Sequence, residues 1–503
     1  MANVTIASTY QSMASVASFR FDNSFARELP GFYVPWQPAV VPAPHLLFLN
    51  HALAAELGLD AASLDGPAGA ATFAGNALPD GAEPLAQAYA GHQFGGFSPQ
   101  LGDGRAVLLG EVIDRQGRRR DIALKGSGRT PFARGADGKA AVGPMLREVL
   151  VGEGMHALGI PTTRALAVVA TGAPVYREHA LPGAVLTRVA ASHIRVGTFE
   201  FFSSRGDVER VRKLAEYSIA RHDHALVAAP QPFLALLQTV AARQAALIAQ
   251  WMNVGFIHGV MNTDNMSIAG ETIDYGPCAF MDAYHPGRVY SSIDHRGRYA
   301  YGNQPPIAQW NLARLAEALL PLLDPDENQA IEAAQGAIDG FGQRFEQAYL
   351  ACFRAKLGLL GAQAGDAELI DGLLRAMAEA GADFTNTFRA LCDAATGAVG
   401  PVRAQFGDRT LFDAWHARWA ERLASETASP EARTIAMRRA NPAIIPRNHR
   451  VEAALNAAVA GDLDPLEALL QALAKPWDEG PATHDYRQPP KPDEVVQKTF
   501  CGT

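Results

Sequence analysis

The sequence is poor in cysteine and lacks several motifs, and each shortage excludes a class of protein. The four cysteines are Cys278, Cys352, Cys392 and Cys501, and they form no CxxC pair and no spacing typical of zinc ligands. A disulfide framework and an obvious zinc site are therefore excluded, and a reducing cytoplasm is the expected compartment. The GxxxxGK[ST] phosphate-binding loop is also missing from the chain, so a nucleotide must be bound by other means.

Charge of one sign is not concentrated anywhere, and the net charge of -8 at pH 7 is spread along 503 residues. Non-specific nucleic-acid binding needs a positive field, so we expect no nucleic-acid partner. We find no apolar stretch of the length that a bilayer requires, and the N-terminus lacks the charged start and apolar run of a secretory signal. We therefore expect no membrane association. Apolar residues make up 48% of the chain, which is enough for large buried cores, and we expect a monomer.

The patterns divide the chain into a strand-rich part followed by a helix-rich part. Residues 1–100 mix short apolar runs with proline and glycine, and we interpret them as an irregular N-terminal arm packed on the body. Residues 101–199 predict a sheet-rich lobe, and residues 200–304 begin a helical lobe that contains one polar loop. Residues 305–503 predict the rest of the helical lobe, a helical C-terminal extension and a polar tail.

Individual elements follow from the same patterns. Strands are predicted over 105–113, 121–124, 164–170 and 184–190, and the first two form a hairpin around a polar turn. Helices are predicted over 144–158, 208–225 and 232–253.

Two segments of the strand-rich part have residues suited to phosphate. Gly102 and Gly104 let backbone N–H groups approach phosphate oxygens and Arg105 adds charge, although an ordinary turn has the same composition. Lys125 ends a buried strand, as in the V-A-I-K element of protein kinases, although a surface lysine at a strand end is equally compatible. Glu148 lies among apolar residues of the next helix, where a buried carboxylate needs a cation. Lys125 is the expected partner, with a solvent-facing pair to Arg147 as the alternative.

The polar loop carries the strongest signal. His258 and Asn265 match the two ends of the kinase catalytic loop H-R-D-x-x-x-x-N, but Val260 replaces the kinase base. The segment Asp274-Tyr275-Gly276 matches D-F-G in position and type. Asn265 and Asp274 supply hard oxygen ligands suited to Mg²⁺, which needs few protein ligands when phosphates complete its shell.

Two arginines distinguish the pattern from that of a kinase. Arg188 and Arg195 lie in otherwise apolar segments, and guanidinium groups bind phosphates bidentately. A partly exposed strand with its arginines reaching solvent is the alternative. A protein kinase does not need arginines there, so they indicate a different nucleotide pose.

Together these motifs resemble the selenoprotein O (YdiU-type) family. The resemblance rests on 89–105 (YAGHQFGGFSPQLGDGR), 123–140 (ALKGSGRTPFARGADGKA), 258–267 (HGVMNTDNMS) and 273–277 (IDYGP), and it extends to 441–455 and the Cys-Gly-Thr terminus. It implies an α+β, two-lobed protein-kinase-like fold with an N-terminal arm and a helical C-terminal extension. It also implies that ATP binds with its phosphates reversed and that AMP is transferred to Ser, Thr or Tyr hydroxyls of target proteins.

The resemblance also implies a role for each candidate residue. The nucleotide contacts are Gly102, Gly104, Arg105, Lys125, Asp137, Gly138, Arg188, Arg195 and Asp274. Asn265 and Asp274 would hold Mg²⁺ or Mn²⁺, Asp264 would be the catalytic base, and Glu148 would form a structural ion pair with Lys125. Some members carry selenocysteine near the C-terminus, where this chain has Cys501, and a thiol there is expected to pair with Cys278 and tether the tail to the active site.

Two other functions stay open at this stage. One is phosphoryl transfer on the same fold, with Asp264 substituting for the missing base. The other is a nucleotide-binding pseudoenzyme that acts as a scaffold, although the retention of Lys125, Glu148, Asn265 and Asp274 argues against it. Transfer of UMP from UTP with Mn²⁺ is a variant that these motifs do not distinguish from AMP transfer.

Overall fold

The computed structural model describes residues 19–500 and contains a mixed α/β architecture. The strands are β1 Tyr33–Pro35, β2 His45–Leu49, β3 Leu85–Gln87, β4 Gly91–Gln93, β5 Gly96–Ser98, β6 Ala106–Ile113, β7 Arg119–Lys125, β8 Ala140–Ala141, β9 Arg164–Tyr176, β10 Ala180–Ala190, β11 Phe256–Ile257 and β12 Ala279–Phe280. The four strands predicted from alternation correspond to β6, β7, β9 and β10, and the predicted β6–β7 hairpin is confirmed.

Helices dominate the second half of the chain, as predicted. They are α1 Ser24–Glu28, α2 His51–Glu56, α3 Ala61–Leu64, α4 Pro67–Ala74, α5 Val142–Ala157, α6 Val196–Ser203, α7 Val208–His222, α8 Pro232–Val254, α9 Gln304–Leu323, α10 Glu327–Leu357, α11 Asp366–Ala380, α12 Phe384–Ala394, α13 Gly400–Arg403, α14 Arg409–Ala424, α15 Pro430–Ala440, α16 Asn448–Val459, α17 Asp464–Leu473 and α18 His484–Arg487. Helix α5 begins with Pro144 in its first turn, where the missing N–H has no intrahelical partner to lose.

The main sheet is antiparallel and has eight strands in the order β1-β3-β6-β7-β10-β9-β2, with β8 paired to β10. Strands β1 and β2 form its two edges, and β3 lies beside β6. The interpretation of residues 1–100 as irregular is therefore wrong for these three segments. They are only three to five residues long, and such short runs show too little alternation to be separated from loops.

Helix α5 lies between the sheet and the C-terminal helices. Its apolar residues pack on β9 and β10 on one side and on α16 and α17 on the other. Arg147 of α5 also pairs with Glu452 of α16, with 2.9 Å between Nη1 and Oε1. Helices α16 and α17 therefore fix the helix that carries Glu148 against the sheet.

Helix α8 corrects one prediction. By length and composition its 23 residues are sufficient to cross a membrane, although we had expected no stretch of that kind. Arg243 is its one charged residue, and it pairs with Asp223 beside the helix at 2.9 Å between Nη1 and Oδ2. Half of the most apolar window (50%) is buried in the structure, where α8 packs along α9 and α10. This is also the composition of a core helix.

A buried lysine in the helical part leads to a stability prediction. Lys356 is 1% exposed, and its Nζ donates to the carbonyl of Asn253 at 2.8 Å and lies 4.4 Å from the ring centre of Phe388. Burial lowers its pKa from the ordinary 10.5 to about 7. Between these values the unfolded chain binds one more proton than the folded chain, so stability falls as the pH falls through this window.

We expect the Lys356→Met variant to lose this dependence. Between pH 7.5 and 9 the unfolding free energy of the wild type should rise relative to the variant by about 1 kcal/mol per pH unit. Urea unfolding at several pH values measures it, with the exposed Lys475→Met as the matched control. Parallel curves for wild type and Lys356→Met would mean that Lys356 stays charged in the folded state.

Candidate active site

A cleft of about 770 Å³ opens between the sheet and the polar loop that follows α8. Every predicted nucleotide, metal, ion-pair and catalytic residue lines this cleft: Gly102, Gly104, Arg105, Lys125, Asp137, Gly138, Glu148, Arg188, Arg195, Asp264, Asn265 and Asp274. The fold thus brings together residues that are up to 172 positions apart in the chain, from Gly102 to Asp274.

Three cations converge on the carboxylate of Asp274. Its Oδ1 accepts from Lys125 Nζ at 2.6 Å and from Arg188 Nη1 at 2.7 Å, and its Oδ2 accepts from Arg195 Nη1 at 2.9 Å. Burial alone would raise the pKa of Asp274, but the three cations outweigh it and hold that pKa well below the ordinary value. Asp274 also has a left-handed backbone, with φ +64°, which is uncommon outside glycine.

The predicted ion pair between Lys125 and Glu148 is present. Lys125 ends β7 and donates to Glu148 Oε1, and both side chains are buried. Arg147, the alternative partner, turns away and donates to the carbonyls of Gly276 and Cys278 at 3.0 and 2.5 Å. The lysine is therefore fixed between α5 and Asp274.

Arg188 is oriented by a buried histidine that the sequence did not single out. His193 accepts from Arg188 Nε through its Nε2 at 3.2 Å, and its Nδ1 lies 2.9 Å from Asp121 Oδ2. Burial lowers the pKa of His193 to about 4, so the ring is neutral near pH 7. Asp121 in turn pairs with the buried Arg221 of α7 at 2.6 Å between Oδ1 and Nη2. Arg188 is therefore connected through His193 and Asp121 to Arg221 of helix α7.

The catalytic-loop candidates lie beside this cluster. Asp264 is 8% exposed and its carbonyl accepts from Arg195 Nη1 at 2.6 Å. Its Oδ2 accepts from Gln93 Nε2 at 3.3 Å, whereas its buried Oδ1 has no hydrogen-bond partner within residues 19–500. Burial raises the pKa of Asp264 to about 6. An orphaned buried carboxylate oxygen is costly unless a ligand or reacting group meets it.

The glycine-rich loop of residues 126–143 contributes lining residues to the cleft, including Asp137 and Gly138. Gly138 has φ +71°, and a Cβ there would lie 2.3 Å from the carbonyl oxygen of Gly128, so only glycine fits. Its neighbour Asp137 is held by Arg177, with 2.9 Å between Nη1 and Oδ2 and 3.2 Å between Nη2 and Oδ1. Arg177 was not predicted, because it comes from the turn after β9.

Several further residues line the cleft that were not predicted. Among them are Tyr89, Gln93, Phe94, Asp103, Arg134, Lys139, Tyr176, Arg177 and Ile293. The first four lie within the 89–105 motif, so the motif itself was the available signal. Tyr89 lies under the guanidinium of Arg195, with 4.7 Å from the ring centre to Cζ. Asp103 is buried and accepts from Gln87 N at 3.0 Å, and burial raises its pKa to about 6.

The donor set fits a hard divalent cation. Asn265 Nδ2 donates to Val260 O at 2.9 Å, which turns its amide oxygen to other partners. That oxygen and the carboxylate of Asp274 are the kind of oxygen donor that Mg²⁺ and Mn²⁺ prefer. No group of three or more His, Cys, Asp or Glu suited to a metal occurs between residues 19 and 500. A site with few protein donors suits a metal whose shell is completed by phosphate oxygens.

The two redox candidates differ in what the structure describes. Cys501 lies outside residues 19–500. Cys278 is buried, its Sγ is 3.4 Å from the carbonyl oxygen of Tyr275, and burial raises its pKa to about 12. In the described part of the chain, Cys278, Cys352 and Cys392 are free thiols. The tail reaches this region, because Thr499 Oγ1 donates to Pro277 O at 2.5 Å.

Comparison with known proteins finds relatives that match nearly the whole chain. A family model described as "Protein adenylyltransferase SelO" matches residues 15–474. "Protein nucleotidyltransferase YdiU" of Cereibacter sphaeroides (strain ATCC 17029 / ATH 2.4.9) is 61% identical over 488 residues, which cover 97% of this chain and 100% of the relative. Proteins of the same name are 58% identical in Rhizobium johnstonii (97% of this chain, 98% of the relative) and 60% identical in Bradyrhizobium sp. strain ORS 278 (96% and 99%).

These matches confirm the resemblance drawn from the motifs, including its extent over nearly the whole chain. The family model covers residues 15–474 of the 503-residue chain, and the relatives align over nearly their whole length. The chain therefore belongs to the SelO family of protein adenylyltransferases, whose relatives carry the name protein nucleotidyltransferase YdiU.

Proposed function

We propose that this enzyme transfers AMP from ATP to Ser, Thr or Tyr hydroxyls of target proteins and releases pyrophosphate. The observation that carries the proposal is the convergence of Lys125, Arg188 and Arg195 on one carboxylate at the inner end of the cleft. Three buried cations around one acidic group form a site in which phosphate oxygens can replace or join the carboxylate.

The proposed fold is a two-lobed, protein-kinase-like one. The sheet-rich lobe would span residues 101–199, with β7 supplying the lysine and α5 the glutamate. The helical lobe would begin at 200 with the catalytic loop and metal site before 304, and the helical extension and tail would follow from 305. Residues 1–100 would pack on this body. The order lysine, glutamate, catalytic loop and Asp-Tyr-Gly supports this assignment.

The positions of the arginines favour reversed phosphates. In β10, Leu186 pairs with Lys125, Arg188 lies two residues beyond it, and Ala184 pairs with Ala140 in the other direction. Arg195 caps the start of α6. The β- and γ-phosphates would bind to the three inner cations, and Gly102, Gly104 and Arg105 would contact the nucleotide along the sheet. Asp137 and Gly138 would then contact its outer end.

In the proposed reaction the acceptor hydroxyl oxygen attacks the α-phosphorus in line. The bond from that phosphorus to the bridging oxygen breaks, and pyrophosphate leaves with the electron pair. Asp264 accepts the hydroxyl proton on its side-chain carboxylate. Lys125, Arg188 and Arg195 hold the leaving group by charge, so positioning and electrostatics supply most of the rate.

Asn265 and Asp274 would hold the metal ion, and the amide and carboxylate oxygens found there suit Mg²⁺ or Mn²⁺. When bound, the ion supplies neutralisation of phosphate charge. The protein groups carry the rest of the chemistry described above. UTP with Mn²⁺ is tested as an alternative donor in the same assay.

The experiment compares α-labelled and γ-labelled ATP. Purified enzyme is incubated with each label and Mg²⁺ or Mn²⁺, and the intact protein is weighed by mass spectrometry. AMP transfer predicts incorporation of the α-label only, with the mass of one or more AMP groups. Incorporation of the γ-label would make the enzyme a kinase, and ATP binding without any adduct on itself or on added protein would support the scaffold function.

A regulatory tether between the tail and the cleft is proposed from the same resemblance. Thr499 lies against Pro277, next to Cys278, and Cys501 follows two residues later. Exchange with a small-molecule disulfide would join the two thiols and release two equivalents of reduced thiol. The rate of label transfer should then differ between oxidised and reduced enzyme, and Cys501→Ser should abolish the difference. Equal rates would remove the tether from the proposal. A cytoplasmic monomer without nucleic-acid partners stays a prediction.

A further inference from the structure

The hairpin formed by β4 and β5 has no role in the reaction as described so far. It belongs to the 89–105 motif, and its residues Gln93 and Phe94 line the cleft. The nucleotide residues of that motif all come later, from Gly102 onward. The part of the hairpin that lines the cleft is therefore separate from the predicted nucleotide contacts.

The hairpin is attached to the catalytic loop at successive residues. His92 N donates to Thr263 Oγ1 at 2.7 Å, and Phe94 N donates to Asn262 Oδ1 at 3.2 Å. Gly91 lies so close to Asp264 that a Cβ there would be 2.6 Å from Oδ1. The position of the hairpin and the position of Asp264 are therefore coupled.

Gln93 contacts the catalytic carboxylate directly. Its Nε2 donates to Asp264 Oδ2 at 3.3 Å and leaves Oδ1 without a partner in the described part of the chain. A donor on Oδ2 and the backbone of Gly91 beside Oδ1 together fix the rotation of this carboxylate. Gln93 is half-buried at the cleft wall, where an acceptor side chain must enter.

The next residue is held in a strained conformation. Phe94 has φ +51°, a left-handed backbone that is unfavourable for a bulky residue. The backbone N–H of Phe94 also donates to Tyr299 OH at 3.0 Å, and Tyr299 OH in turn donates to Asn262 Oδ1 at 2.6 Å. The ring of Phe94 stays 40% exposed beside Gln93. Strain maintained by surrounding contacts is typical of functional sites.

We infer that Gln93 is a positioning residue that orients Asp264 toward the acceptor hydroxyl, and that the β4–β5 hairpin forms the acceptor side of the cleft. The occupant is a hydroxyl-bearing side chain on a polypeptide segment that enters beside Phe94. The inference rests on the proposed AMP transfer and adds to it the group that aims the catalytic carboxylate.

The test uses Gln93→Met, which keeps the length of the side chain and removes the donor. We measure the rate of α-label incorporation into the enzyme itself at saturating ATP, and the ATP concentration at half-maximal rate. The maximal rate should fall about tenfold, the size expected for one lost positioning hydrogen bond, while the half-maximal concentration changes less than about twofold. The exposed Gln100→Met is the matched control and should equal the wild type.

A double variant separates positioning from a general structural effect. If Gln93 acts through Asp264, then Gln93→Met should cause no further loss in an Asp264→Asn background. Equal and additive losses in both backgrounds, or a rise in the half-maximal ATP concentration that accounts for the lower rate, would overturn the inference. Wild-type rates in Gln93→Met would also overturn it while AMP transfer stands, whereas the absence of α-label transfer in the wild type would overturn both.

Discussion

The Asp274→Ala variant should lose about 10³-fold or more of the rate of α-label transfer. Asp274 is the proposed metal ligand, and it is also the common partner of Lys125, Arg188 and Arg195. Its removal takes away one charge that holds the metal and leaves three cations without the carboxylate that spaces them. In a reaction whose rate depends on positioned charges, displacing those charges lowers the rate strongly.

The Asp274→Ala substitution should also change thermal stability and its response to pyrophosphate. Without Asp274 the three cations repel one another, so the variant should unfold at a lower temperature than the wild type. Pyrophosphate, which can take the place of the carboxylate between the cations, should recover more of that stability in the variant than in the wild type. Thermal unfolding with and without pyrophosphate measures both effects.

Two further variants complete the comparison. Asp274→Asn keeps the shape but removes the charge, and it should also lose transfer. Asp339→Ala removes an exposed carboxylate from α10 and should leave both transfer and stability unchanged. If Asp274→Ala keeps more than about a tenth of the wild-type rate while folded, then Asp274 is not the group around which the reaction is organised.

The ion pair between Lys125 and Glu148 was predictable because the reasoning is local and energetic. A carboxylate among apolar helix residues requires a cation, and a lysine at the end of a neighbouring strand supplies one. In the structure Lys125 Nζ donates to Glu148 Oε1. The same reasoning could not reveal that Asp274 also contacts this lysine, since the two are separated by 149 residues and meet only when β7 packs against the polar loop.

The part of the site contributed by long-range packing was missed for the same reason. His193 orients Arg188 from five residues away, but its partner Asp121 lies on a neighbouring strand whose register no single sequence specifies. Arg177 comes to Asp137 from a turn 40 residues later. The residue types were visible in the sequence, but their geometry depended on the sheet.

Among the strands, the long ones were predicted from the sequence and the shortest ones were missed. Strands β6, β7, β9 and β10 have seven to thirteen residues and were predicted, whereas β1 and β3 have three residues each and were not. Periodicity needs several repeats before it exceeds chance. Whether such a short segment forms a strand depends on the larger sheet that it joins, and its own residues do not reveal this.

The second large effect is expected from Asp264→Asn, which should lower the maximal rate of α-label transfer by about 10²–10⁴-fold. The side-chain oxygen of asparagine can still accept from Gln93, but it is a poor acceptor for the hydroxyl proton. The contact that this residue makes with Arg195 uses the backbone carbonyl, at 2.6 Å, and the substitution keeps it.

The affinity for ATP is therefore the decisive second measurement. Because the backbone contact to Arg195 is retained, the dissociation constant for ATP should stay within about twofold of the wild-type value, and the loss should lie in the chemical step. Titration calorimetry with ATP gives the first quantity and label incorporation at saturating ATP gives the second. If affinity and rate fall together, Asp264 serves the nucleotide site and not the acceptor. If neither changes, the hydroxyl proton leaves by another route and Asp264 is not the catalytic base.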